Sequence, residues 1–261
     1  MTSAAITTVV VDYGGVMTNP LDETFAAFAD AVGVPVTALQ DAFAKATARH
    51  GRSPMADLET GDCTETEMVE RVLAELPDSA LPGGGGPGSA GPDSAGPGSA
   101  GAGTALKSPA GAGTVRRGLD LLGGREFGEL WFRARTVDEQ MVCFLRSLRR
   151  FGYRTALLTN NVAEWGPRWR AQLPVDELFD LVVDSSEEGV RKPDPLIYQR
   201  LLGRLPASPR ECLFLDDLEE NCAAASDLGM LAVRFTTADE AIDQVVALLR
   251  SRGTYQVRNR V

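Results

Sequence analysis

Short apolar segments alternate with amphipathic helical segments through the second half of this chain, and this alternation constrains its fold most. Residues 6–11 form a further apolar segment near the start. Repeated strand–helix units predict a Rossmann-like, doubly wound α/β fold with a parallel sheet and helices on both faces. The predicted pairs are strand Thr155–Leu158 with a helix around 164–172, Leu181–Asp184 with Pro195–Arg204, Cys212–Leu215 with Glu219–Leu228, and Leu231–Phe235 with Ala238–Ser251.

Reactive side chains follow several of these apolar segments. Asp12 comes directly after the run Val9–Val11 and precedes Gly14 and Gly15. Right-handed connections place the carboxyl ends of all the parallel strands at one edge of the sheet, so these side chains are expected to converge. The later ones are Thr159, Lys192, Asp216 and Asp217. An acid, a hydroxyl, a lysine and an acid pair predict a phosphate site with a hard metal ion.

Each residue type suits a particular task at such a site. Asp12 can act as a nucleophile in phosphoryl transfer. With Asp216 and Asp217 it can hold Mg²⁺, which prefers oxygen ligands. The Thr159 hydroxyl and the Lys192 ammonium can bind a phosphoryl group. Taken singly, each residue also fits an ordinary turn, helix cap or surface loop, and only the combination favours a shared site.

A helical region separates the first strand from the later strands. Helical periodicity covers Leu21–Leu76, resumes near Val115, and continues through Phe127–Arg135 and Asp138–Phe151. Residues 82–114 are rich in Gly, Pro, Ser and Ala, a composition that predicts a flexible linker or insertion. Thr64 with Glu67 and Thr237 with Glu240 each predict a capping box at a helix start.

Composition excludes several classes of function. The net charge is −10 and the pI is about 4.7, which argues against nucleic acid as a partner. No apolar run approaches a membrane span and the N-terminus lacks a signal-peptide pattern, so a cytoplasmic protein with no membrane partner is expected. The four cysteines form no CxxC pair and are expected to be reduced, packed thiols. His50 is the only histidine, in a polar helix end that does not favour catalysis.

Four motifs together resemble those of the haloacid dehalogenase-like (HAD) hydrolases. They are Asp12-Tyr13-Gly14-Gly15-Val16-Met17, Leu158-Thr159-Asn160-Asn161, Lys192-Pro193-Asp194 and Leu215-Asp216-Asp217. The stretch Asp184–Gly229 is especially similar to the branch that contains the N-terminal phosphatase domain of soluble epoxide hydrolase. The resemblance covers about residues 5–20 and 140–250, and the helical block between the first two motifs resembles the family's substrate-selecting cap.

The resemblance implies a domain division and a set of roles. Residues 1–19 and 136–261 would form the core, and residues 20–135 a small helical cap inserted after the first strand and interrupted by 82–114. Asp12 would be phosphorylated and then hydrolysed. Asp12, Asp216, Asp217 and the Gly14 carbonyl would bind Mg²⁺, while Gly15, Thr159, the Asn160 amide and Lys192 would hold the phosphoryl group.

One departure from the family pattern affects the expected activity. Most family phosphatases carry a second Asp, a general acid/base, where this chain has Gly14. The prediction is a Mg²⁺-dependent phosphatase of a small phosphorylated metabolite. The alternatives are a catalytically weak binding or regulatory protein, or a dehalogenase-type hydrolase. Trp165, which follows Thr159-Asn160-Asn161, is a better candidate for the rim of the pocket than the other aromatic residues. Five aromatic residues are expected in the cap core rather than against a ligand: Phe25, Phe28, Phe43, Trp131 and Phe132.

Overall fold

The computed structural model describes residues 4–82, Leu122 and residues 126–252. Five parallel strands form one sheet in the order β3-β2-β1-β4-β5. The strands are β1 Thr8–Val11, β2 Arg154–Thr159, β3 Leu181–Asp184, β4 Cys212–Asp216 and β5 Leu231–Arg234. This order, with helices packed on both faces, confirms the predicted Rossmann-like α/β fold.

Helices occupy most of the remaining described residues. They are α1 Leu21–Ala31, α2 Val36–His50, α3 Pro54–Thr60, α4 Glu65–Leu73, α5 Phe127–Arg133, α6 Glu139–Arg150, α7 Gly166–Gln172, α8 Val175–Leu178, α9 Ser185–Glu188, α10 Pro195–Arg204, α11 Glu219–Asp227 and α12 Ala238–Ser251. In the described part of the chain, no helix is both long enough and apolar enough to cross a membrane.

The strand register brings the predicted reactive residues to one edge. Val11 pairs with Leu157 on one side and with Leu215 on the other. The Asp12 amide donates to the Leu215 carbonyl at 2.9 Å, so Asp12 extends the central strand beside Asp216. The predicted convergence of the strand ends is therefore confirmed.

Two apolar clusters cover the two faces of the sheet, and a third fills the helical region. Val9 and Val11 belong to one face cluster and Val10 to the other, since successive side chains point to opposite faces. Burial on both faces explains why the strands read as continuous apolar runs rather than alternating ones. The third cluster joins α1, α2, α4 and α5, with Phe28, Met68 and Trp131 among its buried residues.

The two chain segments that connect the sheet with this helical region pair with each other. Thr18 and Val137 form an isolated antiparallel bridge. The Asn19 amide donates to the Thr136 carbonyl, and the Asp138 amide donates to the Met17 carbonyl, both at 2.9 Å. The helical region therefore enters and leaves the sheet through one paired junction close to Asp12.

Several local predictions differ from the structure. The first strand begins at Thr8 rather than at residue 6. The helix predicted around 164–172 divides into a 3₁₀ turn, Ala163–Trp165, and α7. The Thr64 capping box is confirmed.

At α12 only half of the predicted capping box forms. Thr237 caps the Glu240 amide, but the Glu240 carboxylate accepts from the Thr236 hydroxyl instead. Three cysteines are buried as predicted, whereas Cys143 is exposed. The helix predicted near Val115 and nearly all of segment 82–114 lie outside the described residues.

Candidate active site

Three carboxylates and one lysine meet where β1 and β4 end. Carboxylate oxygens of Asp12, Asp216 and Asp217 all lie within 4.8 Å of one another. The Lys192 Nζ lies 2.7 Å from Asp12 Oδ1 and 2.6 Å from Asp216 Oδ2. Lys192 is 1% exposed and Asp216 is fully buried. The structure thus joins the predicted nucleophile, the lysine and the acid pair in one buried cluster.

Burial shifts the proton affinities of these groups. It raises the pKa of Asp12 to about 7, and the charges of Asp216 and Asp217 add to the rise while Lys192 opposes it. Burial and the Asp216 charge also raise the pKa of Asp217 to about 6. For Lys192, burial lowers the pKa, but Asp12 and Asp216 outweigh it, so the net shift is upward. The cluster contains three carboxyl groups and one ammonium group, a set that suits a bound cation.

The donor set fits the Mg²⁺ that the family resemblance implies. All three carboxylates offer hard oxygen atoms, which Mg²⁺ prefers to nitrogen or sulfur. Asp217 Oδ1 is buried and has no hydrogen-bond partner among the described residues. Asp216 Oδ1, in contrast, accepts from the Asn221 side chain at 2.8 Å and from the Leu218 amide at 3.0 Å. Asn221 thereby orients Asp216, a role that sequence reasoning did not assign to it.

The turn after Asp12 depends on its two glycines. Gly15 has a φ of +79°, a conformation that favours glycine, and a Cβ there would lie 2.5 Å from Asp217 Oδ2. The Gly15 amide donates to Thr18 Oγ1 at 3.3 Å. A Cβ on Gly14 would lie 3.2 Å from both terminal nitrogens of Arg135. The turn therefore packs closely against Asp217 on one side and Arg135 on the other.

We expect Gly15→Ala to destabilise the protein more than Gly51→Ala. Both glycines have positive φ, +79° and +75°, but a Cβ on Gly51 meets nothing within 4 Å. Backbone strain alone costs about 1–2 kcal/mol, so Gly51→Ala measures that part and the contact with Asp217 adds to it in Gly15→Ala. Denaturant unfolding in chelator measures both free energies. Equal losses in the two variants would show that the contact between a Cβ at position 15 and Asp217 adds nothing to the backbone strain.

Thr159 and Asn160 lie at the end of β2. Thr159 is 1% exposed, and its hydroxyl donates to the Asn160 carbonyl at 3.4 Å. The Asn160 side chain forms two hydrogen bonds to the main chain of Lys192: its Oδ1 accepts from the amide at 2.8 Å and its Nδ2 donates to the carbonyl at 3.1 Å. Asn160 therefore fixes the loop that carries the lysine.

A cavity of about 440 Å³ opens over this cluster. Of the predicted site residues, Asp12, Gly14, Asn160, Lys192 and Asp217 line it, whereas Gly15, Thr159 and Asp216 lie outside the lining. The other polar side chains of the lining are Asp22, Gln40, Glu59, Arg135, Asn161, Arg191 and Asn221. His50 is exposed and lies outside the lining of this cavity.

The rest of the lining is mainly aromatic, and most of it comes from residues that also pack in the helical region. All five aromatic residues predicted for the core of the helical region lie in or against its apolar cluster, and all but Phe28 also line the cavity. Phe25 makes edge contacts with Phe43 and Trp131, at centroid distances of 5.7 and 6.3 Å. Trp165 stacks with Trp131 at 6.3 Å and meets Phe132 edge-on at 5.7 Å. We call these five residues, Phe25, Phe43, Trp131, Phe132 and Trp165, the aromatic wall.

Trp165 lines the cavity as predicted, and a specific contact holds it there. Its Nε1 donates to Glu65 Oε2 at 2.6 Å, and the Gly128 amide donates to the same oxygen at 3.1 Å. A Cβ on Gly128 would lie 2.4 Å from Trp165 Nε1. Glu65 in α4 and Gly128 in α5 together determine where the indole lies.

Two lining arginines differ in their partners. Arg191 Nε lies 2.7 Å from Glu59 Oε2, and this ion pair links α3 to the Lys192 loop. Burial raises the pKa of Glu59, and Arg191 opposes that rise. Arg135 donates from Nη1 to Thr18 Oγ1 at 2.7 Å, but its buried Nε has no hydrogen-bond partner among the described residues. Sequence reasoning identified neither Arg135 nor Glu59.

The family model of the haloacid dehalogenase-like hydrolases matches residues 6–229. The chain therefore belongs to this family of hydrolases, as its motifs predicted. It is 33% identical to bifunctional epoxide hydrolase 2 of Mus musculus over 104 residues, which are 38% of this chain and 19% of that protein. It is 34% identical to a sesquiterpene phosphatase of Aspergillus oryzae over 99 residues, 38% of this chain and 50% of that protein. The match thus spans half or less of each relative.

Solved structures show the same fold. A HAD family enzyme of Bacteroides thetaiotaomicron, crystallised with magnesium and inorganic phosphate, superposes with a TM-score of 0.54. The match covers 89% of this chain and 95% of that chain at 17% sequence identity. The similarity confirms the architecture of the sheet and its helices.

Proposed function

We propose that this protein is a Mg²⁺-dependent phosphatase that hydrolyses a small phosphorylated metabolite through an aspartyl-phosphate on Asp12. The observation that carries this proposal is the buried cluster of Asp12, Lys192, Asp216 and Asp217 beneath a cavity of about 440 Å³. The activity in the name of the Aspergillus relative supports the same reaction class.

In the proposed reaction, Asp12 attacks the phosphorus atom, and the bond to the ester oxygen breaks with its electron pair on that oxygen. Lys192, which contacts Asp12 directly, orients the nucleophile and offsets negative charge at the phosphoryl group. The Thr159 hydroxyl and the Asn160 amide bind its other oxygens. Asp12, Asp216, Asp217 and the Gly14 carbonyl would hold Mg²⁺, which would supply the positive charge that lets an anionic nucleophile approach an anionic substrate. Water then attacks the phosphorus, and the bond between phosphorus and the Asp12 oxygen breaks with its electron pair on that oxygen. Phosphate leaves with the hydroxyl of the water, the other proton passes to solvent, and the Asp12 carboxylate is restored.

The helical region of residues 20–135 would act as the cap of this enzyme, with residues 1–19 and 136–261 as its core. The paired junction at Thr18 and Val137 supports this division, because the chain leaves and re-enters the sheet at one place. Helices α1, α2 and α5 contribute four of the five residues of the aromatic wall. The cap would therefore contact the organic part of the substrate.

Gly14 limits which esters the enzyme can hydrolyse quickly. It has no side chain to protonate the leaving oxygen, and such general acid catalysis contributes about 10²–10⁴-fold in enzymes that have it. The rate should therefore depend steeply on the basicity of the leaving oxygen. An activated aryl phosphate should react faster than an alkyl phosphate by about 10²-fold or more.

The test is phosphate release from a panel of phosphorylated metabolites, an aryl phosphate and an alkyl phosphate, each with Mg²⁺ and with chelator. We expect release only with the metal, and the leaving-group dependence described above. Release that persists in chelator would contradict the metal-dependent mechanism. The absence of release from every phosphoester would favour the alternative of a phosphate-ligand binding protein, and halide release from a 2-haloacid would favour a dehalogenase.

A further inference from the structure

A buried arginine without an acidic partner lines the cavity beside the proposed nucleophile. Arg135 is 9% exposed, and its guanidinium donates one hydrogen bond in the described part of the chain, from Nη1 to the neutral hydroxyl of Thr18. Its Nε is buried without a hydrogen-bond partner there. No described carboxylate forms an ion pair with it, and the charges of Asp12, Asp217 and Glu59 act on it only from a greater distance. Arg191, in contrast, is neutralised by Glu59. Because an unpaired buried charge is costly, Arg135 is suited to bind an anion that enters the cavity.

The fold holds this side chain in place. The Arg135 amide donates to the Phe132 carbonyl, and its carbonyl accepts from Gln172 Nε2, both at 3.3 Å. Its guanidinium carbon lies 5.5 Å from the ring centre of Tyr13 and 5.7 Å from that of Trp131, within the range of cation–π contacts. An arginine fixed in this way loses little further freedom on binding a ligand.

The position of the guanidinium identifies the part of the substrate it meets. The two terminal nitrogens of Arg135 lie 3.2 Å from where a Cβ on Gly14 would be. The guanidinium therefore lies beside the turn that follows Asp12, next to the space that a side chain at position 14 would fill. On its other side it packs against Trp131 of the aromatic wall. In phosphoryl transfer the leaving oxygen lies in line with the nucleophile, on the far side of phosphorus. Arg135 thus lies between the turn that follows Asp12 and the aromatic wall, which would contact the leaving group.

We propose, on the basis of the proposed phosphatase function, that Arg135 is a specificity-determining residue that binds a negatively charged substituent on the leaving group. The substrate class is a phosphate ester or anhydride that carries a second anionic group, a carboxylate or a phosphoryl, next to the bridging oxygen. Guanidinium binds either group through two parallel hydrogen bonds. When the bridging bond breaks, its electron pair stays on the leaving oxygen, and Arg135 stabilises the added charge without giving up a proton. This compensates in part for the missing acid at Gly14.

The test compares kcat/KM for ethyl phosphate, carboxymethyl phosphate and ethyl diphosphate. The native protein should prefer carboxymethyl phosphate, whose leaving oxygen is nearly as basic as that of ethyl phosphate, by about 30-fold or more, the effect of a charge-assisted hydrogen bond pair. Ethyl diphosphate has a much less basic leaving oxygen, so for this substrate only the part of the preference that depends on Arg135 is informative. Arg135→Gln should reduce that ratio about tenfold or more. The matched control is Arg133→Gln, because Arg133 is exposed on α5, pairs with Glu129 at 2.7 Å and lies outside the cavity lining. It should leave the ratio unchanged.

The outcomes separate this proposal from the proposed function. A preference for the carboxylate or for the diphosphate that Arg135→Gln reduces and Arg133→Gln retains supports the proposal and identifies the anionic group, whereas a preference that Arg135→Gln leaves unchanged overturns it. Equal rates on all three substrates would overturn the proposal but leave the phosphatase function intact. An equal loss of rate in Arg135→Gln on every substrate would also overturn it, because Arg135 would then act on the transferred phosphoryl group. The absence of release from all substrates, an aryl phosphate included, would instead overturn the proposed function.

A binding measurement on the native protein avoids any dependence on the folding of a variant. Trp131 and Trp165 line the cavity, so their fluorescence should report ligand binding. We expect carboxymethylphosphonate to bind about tenfold or more tightly than propylphosphonate, which has a similar size but lacks the second charge. Arg135→Lys should retain part of this difference, because it keeps the charge but loses the paired donors. Equal affinities for the two phosphonates would overturn the proposal.

Discussion

Replacement of Asp12 by Asn should lower the rate of phosphate release by at least about 10³-fold, as expected when a nucleophile is removed. The amide has nearly the same shape as the carboxylate but is a poor nucleophile, so the cavity is preserved while the proposed aspartyl-phosphate cannot form. Initial rates of phosphate release with Mg²⁺, measured on an aryl phosphate and on the best metabolite of the panel, provide the comparison. Asp176→Asn is a matched control, since Asp176 is exposed in α8 and lies outside the cavity lining.

The pH dependence of stability in Asp12→Asn provides a second test, because it reports the proton affinity of the Asp12 carboxyl group. The raised pKa of Asp12, about 7 against 3.8, means that the folded carboxyl holds its proton more tightly than the unfolded one. The folded state therefore loses stability as the pH rises from about 4 through about 7, whereas Asn does not titrate. In chelator, the melting temperature of Asp12→Asn relative to the native protein should rise between about pH 5 and about pH 8.

If Asp12→Asn released phosphate as fast as the native protein, the assignment of Asp12 as the nucleophile would be contradicted.

Replacement of Lys192 by Met should affect both stability and activity. Met has a similar length but no charge, so Asp12 and Asp216 would lose the cation that lies 2.7 and 2.6 Å from their oxygens. Removing one partner of a buried ion pair costs about 3–5 kcal/mol, because the remaining charge is uncompensated. We expect a loss of this size in the free energy of unfolding in chelator, and a fall in phosphate release of about 10²-fold or more. Denaturant unfolding and initial rates measure the two effects.

Lys45→Met is the control for this comparison. Lys45 is exposed on α2 and lies outside the cavity lining, so its replacement should change the unfolding free energy by less than about 0.5 kcal/mol. If Lys192→Met were as stable as Lys45→Met, the lysine would contribute no net stabilisation to the acid cluster.

The sheet and the cluster at its edge could be predicted from the sequence for a simple reason. Apolar runs buried on both faces identify the strands, and parallel strands bring their carboxyl ends together. Asp12 and Asp216 needed only this rule to be placed side by side. The contact between Lys192 and both carboxylates follows from the same convergence, but its distances required the structure.

The aromatic wall could not be predicted in this way. Helical periodicity shows which face of α1 or α2 is apolar, but it does not show whether that face meets another helix or a cavity. Phe28 and Phe25 lie three positions apart on α1, yet only Phe25 lines the cavity. The difference arises from how the helices pack together, which depends on residues far apart in the sequence.

Arg135 was missed because nothing in its local sequence marks it. Its burial results from the pairing of residues 17–19 with residues 134–138, two segments more than 100 positions apart. Gly14 was the one sequence feature that pointed to this position, since it showed that no side chain at position 14 would fill the space beside Asp12. The structure shows that the Arg135 guanidinium occupies the adjoining space.

The central claim, an aspartyl-phosphate on Asp12, is tested most directly by trapping the intermediate. The native protein is mixed with substrate and Mg²⁺, quenched in acid within the first turnover, and mapped by peptide mass spectrometry. We predict that the peptide containing Asp12 gains the mass of one phosphoryl group, that the modification maps to Asp12, and that it is absent without metal and in Asp12→Asn. Phosphate release with no phosphorylated peptide, or with the phosphoryl group on another residue, would contradict the mechanism.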